Sequence, residues 1–359
     1  MDSQTLPMVS TPLEAQALVR AIVRDDRIAT LVSDFGPGTG GLPRLIAYLQ
    51  EVGPHFFGTE KTQTDRILAA WRSTNGQLVA PRPRAADPSL AVDWLKAYAA
   101  GRWDFRCGQE RDFIPTSREL LPGSPATAIY SLADSWGMRT PRMAGGAFDA
   151  VIVLGGLVRA NLNRPESAAS LLSSGRISTQ LVVGLAGDRD ASPQEAALAR
   201  ELGAPDDTEM AALTFGMGSA FGIAPDQWMP VSDGGAGTGV SAIRPDGLEL
   251  LVVSAPVVAP GKRAGAAAAF EWFARSSGRV TDASRILSIT TPIYWIQNHI
   301  DLLERLAKVG SGARLVTAGG GVDVVPVELR QTYLSQHYLQ EIKSAIDALP
   351  RLMAWADQV

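Results

Sequence analysis

Residues 150 to 154, Ala-Val-Ile-Val-Leu, form an apolar run with no alternation, and the chain then passes through Gly155 and Gly156 into the polar stretch LVRANLNRPES. A strand covered on both faces has this composition because neither side meets water. The two glycines permit a tight turn and let a ligand approach the backbone amides closely. Arg159, Asn161, Asn163 and Arg164 bring charge and donors to the carboxyl end of that strand, and Pro165 suits the first turn of a following helix. Open α/β sheets bind ligands outside the carboxyl ends of their strands, where helix amino termini favour anions. A purely structural strand, turn and helix with solvated arginines would use the same residues. The stretch is neither a dinucleotide fingerprint, which needs a third glycine near Ala160, nor a Walker loop, since no Gly-Lys-Ser/Thr follows.

Beyond this unit, strand-like and helical segments alternate as a parallel sheet requires. Strands are expected at Ala150 to Leu154, Gln180 to Leu185, Glu249 to Ser254, Arg285 to Thr290 and Ala313 to Ala318. Helices are expected at Pro165 to Ser174, Ser192 to Leu202, Thr208 to Phe221, Arg263 to Ser276, Trp295 to Val309 and Pro326 to Leu349. The fold class is therefore α/β, a Rossmann-like three-layer domain with a mostly parallel sheet over 146–359. Residues 1–145 read differently, as a helical amino-terminal region. It opens on the Thr11 cap and Pro12 of PLEAQALVRAIVRDDRIATLVSDF and continues through helical stretches 42–52, 62–73 and 89–100. A loop, GPGTGG, and the proline-bearing segment with Pro81, Pro83 and Pro88 separate these stretches.

Two more strand ends carry polar clusters. After LVVGLAG, Ser192 and Glu195 have the spacing of a capping box, which accounts for both, whereas Arg189 has no such structural explanation and sits where a sheet ligand would be. After ILSI, Thr290 and Thr291 offer hydroxyls to phosphate or carboxylate oxygens, and Tyr294, Gln297 and His299 can reach a ligand from the helix entry. His299 is one of three histidines, so a histidine-based catalytic list is short, and a lone histidine is more often a hydrogen-bonded packing residue than a base. The glycine-rich segment Asp233 to Gly239 reads as a flexible loop or a lid.

A net charge of −4 argues against a nucleic-acid partner. The single Cys107 excludes an internal disulfide, and no HExxH, paired His/Cys set or GxSxG elbow appears, so no metal is indicated. With 46% hydrophobic residues but no apolar run long enough for a bilayer, and an amino terminus without a signal pattern, the expectation is a cytoplasmic protein off the membrane, with a homodimer as the candidate assembly.

The order VIVLGG to Arg159, then Arg164, Glu195, Thr208-Glu209 and ILSITTPIYWIQNHIDLL resembles the YdcF/SanA/ElyC-like family, a Rossmann-like domain of largely unknown function, over residues 148 to 349. The resemblance implies an anionic or nucleotide-like small molecule at the strand ends, with S-adenosylmethionine as the possible cofactor. It places the glycine turn at Gly155 and Gly156, the acidic position at Glu195 or Glu209, and the late threonines at Thr290 and Thr291. The chain departs from the family in lacking an amino-terminal membrane anchor and in adding the helical region.

Three functions remain open. In the first, an enzyme performs group transfer or elimination on an S-adenosylmethionine-like or nucleotide-like ligand. Gly155, Gly156 and Thr290 position that ligand, Arg159, Arg164 and Arg189 neutralise its charge, Asn161, Thr291, Tyr294 and Gln297 add contacts, and Glu209 or His299 moves protons. The others are a hydrolase of a phosphate or glycosyl bond, and a non-catalytic ligand-binding or regulatory protein.

Overall fold

The computed structural model describes residues 9, 11–34, 88–106, 114, 116, 118–140, 144–187, 189–231, 238–255, 265–320 and 327–358. Cys107, the expected helical stretches 42–52 and 62–73, both proline-bearing and GPGTGG linkers except Pro88, and most of the Asp233 to Gly239 segment lie outside them.

The chain divides into two compact units, one of Met1–Pro7, Leu13–Arg139 and Thr332–Ala356, the other of Met8–Pro12, Thr140–Gln331 and Asp357–Val359. The boundary expected from the sequence is 145/146. The difference lies in the carboxy-terminal segment, whose contacts belong with the amino-terminal helices.

The helical unit contains α1 (Pro12–Arg24), α2 (Asp26–Asp34), α3 (Pro88–Arg102), α4 (Ser124–Ser135) and, from the other end of the chain, the carboxy-terminal helix Ser335–Gln358. Helix α1 buries Ala15, Leu18, Val19, Ile22 and Val23, one stripe at helical spacing. The periodic pattern that runs on through Asp34 is interrupted at Asp25. Its Oδ1 accepts the Arg27 amide at 2.9 Å and its Oδ2 the Trp136 indole N–H at 3.3 Å, so Asp25 caps α2 instead of continuing α1. The carboxy-terminal helix turns polar residues inward. Gln340 Oε1 accepts the amides of Phe105 (2.5 Å) and Arg106 (3.1 Å), and Gln336 Oε1 that of Leu120 (3.2 Å), which satisfies backbone donors that regular structure leaves over.

In the sheet unit, the seven-stranded sheet has the order β5-β6-β7-β4-β2-β8-β9. The central parallel strands are β2 (Ala150–Leu154), β4 (Leu181–Ala186), β7 (Glu249–Ser254), β8 (Arg285–Thr290) and β9 (Arg314–Gly319). At the β7 edge, β6 (Thr238–Ile243) and β5 (Met229–Val231) run antiparallel. This edge pair was not foreseen, because its exposed, proline- and glycine-bearing residues lack the apolar run that betrays buried strands. A separate parallel pair joins β1 (Gly146–Ala147) to β3 (Ile177–Ser178).

Helices cover both faces. Alternation along the strands sends Val151, Val153, Val182, Ala186, Leu250, Val252, Leu287 and Ile289 into one core with α5 (Val158–Ser173) and α7 (Glu209–Phe221). The opposite face meets α8 (Ala266–Ser276) and α9 (Trp295–Lys308), with Phe270, Phe273, Trp295 and Ile296 fully enclosed. The short α6 (Pro193–Glu201) packs through Ala199 on Val158 and Leu162 of α5. The expected mostly parallel, three-layer arrangement is thus present.

Helix α5 begins seven residues before the expected start, so Pro165 lies inside it and not in its first turn. A proline at that point has no N–H for the carbonyl of Asn161, four residues earlier. The facing helix α7 supplies the explanation, for a Cβ on Gly216 would lie 2.0 Å from the Asn161 carbonyl oxygen. Two irregularities therefore match, a carbonyl that proline leaves unclaimed and a glycine that lets the second backbone lie against it.

Candidate functional site

Strand connections move outward from β2 to β4 to β7, then return to β8 on the other side of β2 and continue to β9. The reversal falls between β2 and β8, and at such a switch the two neighbouring strand-to-helix connections diverge to opposite faces, which opens a crevice beyond the strand ends. Gly155 and Gly156 follow β2 at this place, and Thr291 follows β8.

The glycine turn is built from the inside. The Gly155 amide donates to Leu185 O at 2.7 Å, extending the β2 to β4 pairing by one residue, and the Gly156 amide donates to Asn161 Oδ1 at 2.8 Å. Asn161 Nδ2 returns a bond to Gly156 O at 3.0 Å. Asn161 therefore closes both polar groups of Gly156, and it is 1% exposed. A Cβ on Gly155 would sit 2.6 Å from both Glu209 Oε1 and Leu185 O, so the residue is glycine because a carboxylate and a carbonyl close in on it. Amides foreseen as open to a ligand are used by the protein itself.

The arginines foreseen as ligand partners behave similarly. Arg164, 3% exposed, donates from Nη1 to Leu154 O (2.6 Å) and Gly155 O (2.7 Å) and from Nε to Thr291 Oγ1 (3.1 Å). It ties the ends of β2 and β8 together across the switch. Arg189 donates from Nη1 and Nη2 to the two oxygens of Glu195, at 2.6 Å each, and from Nε to Glu209 Oε2 at 2.6 Å, with a further bond to Gly156 O at 3.1 Å. Residues 189–191 and 207–209 meet in a short antiparallel bridge, with Glu209 N donating to Arg189 O at 3.2 Å and Ala191 N to Asp207 O at 2.8 Å. That bridge brings Arg189 to Glu209 across twenty residues of sequence, a proximity no local pattern encodes.

Glu195 completes the foreseen capping box with Ser192 at the start of α6 and serves Arg189 as well. Glu209 follows the Thr208 cap of α7, whose Oγ1 accepts the Ala211 amide at 3.1 Å, and its Oε1 accepts the Gly187 amide at 2.7 Å. The two carboxyls differ in character. Burial pushes Glu209 above the usual carboxylate range, and the Arg189 charge and the Gly187 amide only partly offset it. Burial also acts upward on Glu195, but the Arg189 guanidinium and the Ser192 backbone outweigh it and hold that carboxyl low. The guanidinium is correspondingly raised, chiefly by its bonds to Glu195.

On the β8 side, Thr290 is fully buried and its hydroxyl accepts from Asn298 Nδ2 at 2.5 Å, so it faces α9 and not the strand-end rim. His299 is also fully buried. Its Nε2 meets Val9 O at 2.6 Å and its Nδ1 the Thr317 hydroxyl at 2.9 Å. A carbonyl can only accept, so Nε2 carries the proton and Nδ1 accepts from Thr317. The ring pins residue 9 to β9, the hydrogen-bonded packing role that stood beside that of a base. Arg159, Thr291, Tyr294 and Gln297 are half-buried and remain at the rim.

A second pair of closely packed glycines, unrecognised in the sequence, ends β9. Gly320 N donates to Thr290 O at 2.7 Å, a Cβ on Gly319 would be 2.8 Å from Pro292 Cα, and one on Gly320 would be 2.5 Å from Ser167 Oγ. The signal was the run of glycines after TA at 319–321.

Among the described residues, no group of three or more His, Cys, Asp or Glu is placed to hold a metal ion, and no helix is long and apolar enough to cross a membrane. Comparison with protein-family models, curated proteins and solved structures gives no match.

Proposed function

We propose that this chain is a small-molecule enzyme that binds an S-adenosylmethionine-like or nucleotide-like ligand outside the carboxyl ends of β2 and β8 and performs group transfer or elimination. The reversal of strand order at that point supports the reading, with Gly155 and Gly156 on one side and half-buried Thr291, Tyr294 and Gln297 on the other. The alternative of a hydrolase of a phosphate or glycosyl bond draws less support, since Arg164, Arg189 and the amides of Gly155 and Gly156 are bonded within the protein. A non-catalytic binding role is the second reading, favoured by His299, which is enclosed, and by Glu209, whose two oxygens both have partners.

Thermal-shift measurement with S-adenosylmethionine, S-adenosylhomocysteine and nucleosides tests the site. A saturable rise in Tm that is lost in Thr291→Val and Tyr294→Phe supports it, and the absence of any shift removes it. Conversion of a methyl acceptor panel by the wild type then separates an enzyme from a binder.

A further inference from the structure

One level across the carboxyl ends of the strands carries only small residues. Gly155 follows β2, whose last residue, Leu154, pairs with Leu185. Ala186 ends β4 and pairs with Ser254, which ends β7 and pairs in turn with Thr238 of β6. Alternation turns this row toward α7, because Val153, Ala186 and Val252 all lie in the core that α7 shares. The first turn of α7 lies over the row. A Cβ on Gly155 would meet Glu209 Oε1 at 2.6 Å, and at the other end Thr238 Oγ1 donates to Met210 Sδ at 3.5 Å. Ser254 stands between these two points. It is 3% exposed, and its Oγ has no hydrogen-bond partner among the described residues.

A hydroxyl enclosed in this way gives up its bonds to water and gains none in return, a cost that alanine, of nearly the same shape, avoids. Beyond the carboxyl ends of the strands, beside a helix amino terminus, such a group is where an open sheet takes its ligand. We propose that the ligand of the strand-end site extends past Gly155 and Ala186 to the end of β7, where a hydroxyl or amino group of the ligand hydrogen-bonds the Ser254 hydroxyl. The inference rests on the proposed strand-end site. A serine hydroxyl both gives and takes a hydrogen bond, so it suits a ligand group of that kind. Ser288 supplies an internal comparison. It too is fully buried with an unpartnered Oγ, but it lies inside β8, opposite Thr317 and on the face away from α7.

The test measures Tm and the binding of S-adenosylmethionine and adenosine, by isothermal titration, for the wild type, Ser254→Ala and Ser288→Ala. Each substitution removes an enclosed hydroxyl without a partner and should raise Tm by about 2–4 °C. Only Ser254→Ala should weaken binding, on the order of tenfold, with Ser288→Ala binding as the wild type does. Equal affinity of the wild type and Ser254→Ala overturns the inference while leaving the strand-end site in place. A Tm that does not rise in Ser254→Ala overturns it too, because the hydroxyl then has a partner in the free protein. Equal weakening by Ser288→Ala also overturns it, since the loss is then not local to β7. Failure of the wild type to bind either compound overturns the site reading and the Ser254 contact together.

Discussion

His337 gives the helical unit a calculable sensitivity to acid. Its Nδ1 accepts the Leu334 amide at 3.0 Å, while Leu334 O accepts the His337 amide at 2.9 Å, so the side chain caps the start of the carboxy-terminal helix, α10 (Ser335–Gln358). Protonation at Nδ1 would turn that acceptor into a donor facing another donor. The ring is 5% exposed, and burial lowers its pKa to about 4, against the upward pull of the Ile114 backbone and of Glu119. Above pH 6.5 the residue is neutral folded and unfolded, and it leaves stability unchanged. As pH falls below the unfolded value, the unfolded chain takes up a proton that the folded chain refuses, so stability is lost between about pH 6.5 and pH 4. The full loss is about 3 kcal/mol for a displacement of this size, and about 2 kcal/mol is already gone at pH 5. His337→Asn keeps an acceptor near the Leu334 amide but cannot titrate. Urea unfolding of both proteins at pH 7 and pH 5 should show the wild type losing about 2 kcal/mol more than the variant. Equal losses would refute the reasoning, since the carboxylates that titrate in this range are common to both.

Three further outcomes are expected. Gly216→Ala places a Cβ 2.0 Å from Asn161 O, backbone against backbone, and should destabilise the sheet unit by about 3 kcal/mol or more in chemical denaturation. Arg189→Met strands Glu195 and Glu209 with no cation and should cost about 3–5 kcal/mol at pH 7. That cost should shrink as pH falls and the carboxyls become neutral, which a pH series of melting temperatures would read. Ser192→Ala removes the hydroxyl that accepts the Glu195 amide and should cost about 1 kcal/mol in the same denaturation assay, with Arg189 still held by Glu195.

The sequence shows most of the sheet because buried parallel strands are written in composition. Ala150 to Leu154, Glu249 to Ser254 and Arg285 to Thr290 appear at their expected bounds, and two others shift by a single residue. Helices with local start signals were equally plain. Ser192 with Glu195 and Thr208 ahead of Glu209 fix their own helix ends through bonds that span three residues. Pro165 misled because its place depends on a distant glycine, and Asp25 because its cap is completed by Trp136 more than a hundred residues away.

The sequence by itself determined which residues follow the strand ends, since the apolar runs and the glycines after them place Gly155, Asn161, Arg164, Arg189 and Glu195 there. Only the tertiary structure decided what those residues do there. An arginine beside a glycine turn looks the same in sequence whether it awaits a ligand or is already held. The bridge between residues 189–191 and 207–209 sets Arg189 between two carboxylates, and the parallel neighbours β2 and β8 let Arg164 tie their ends together. Charge pairing depends on separations of a few ångströms across long stretches of chain, and those separations are set by packing of the sheet and its helices.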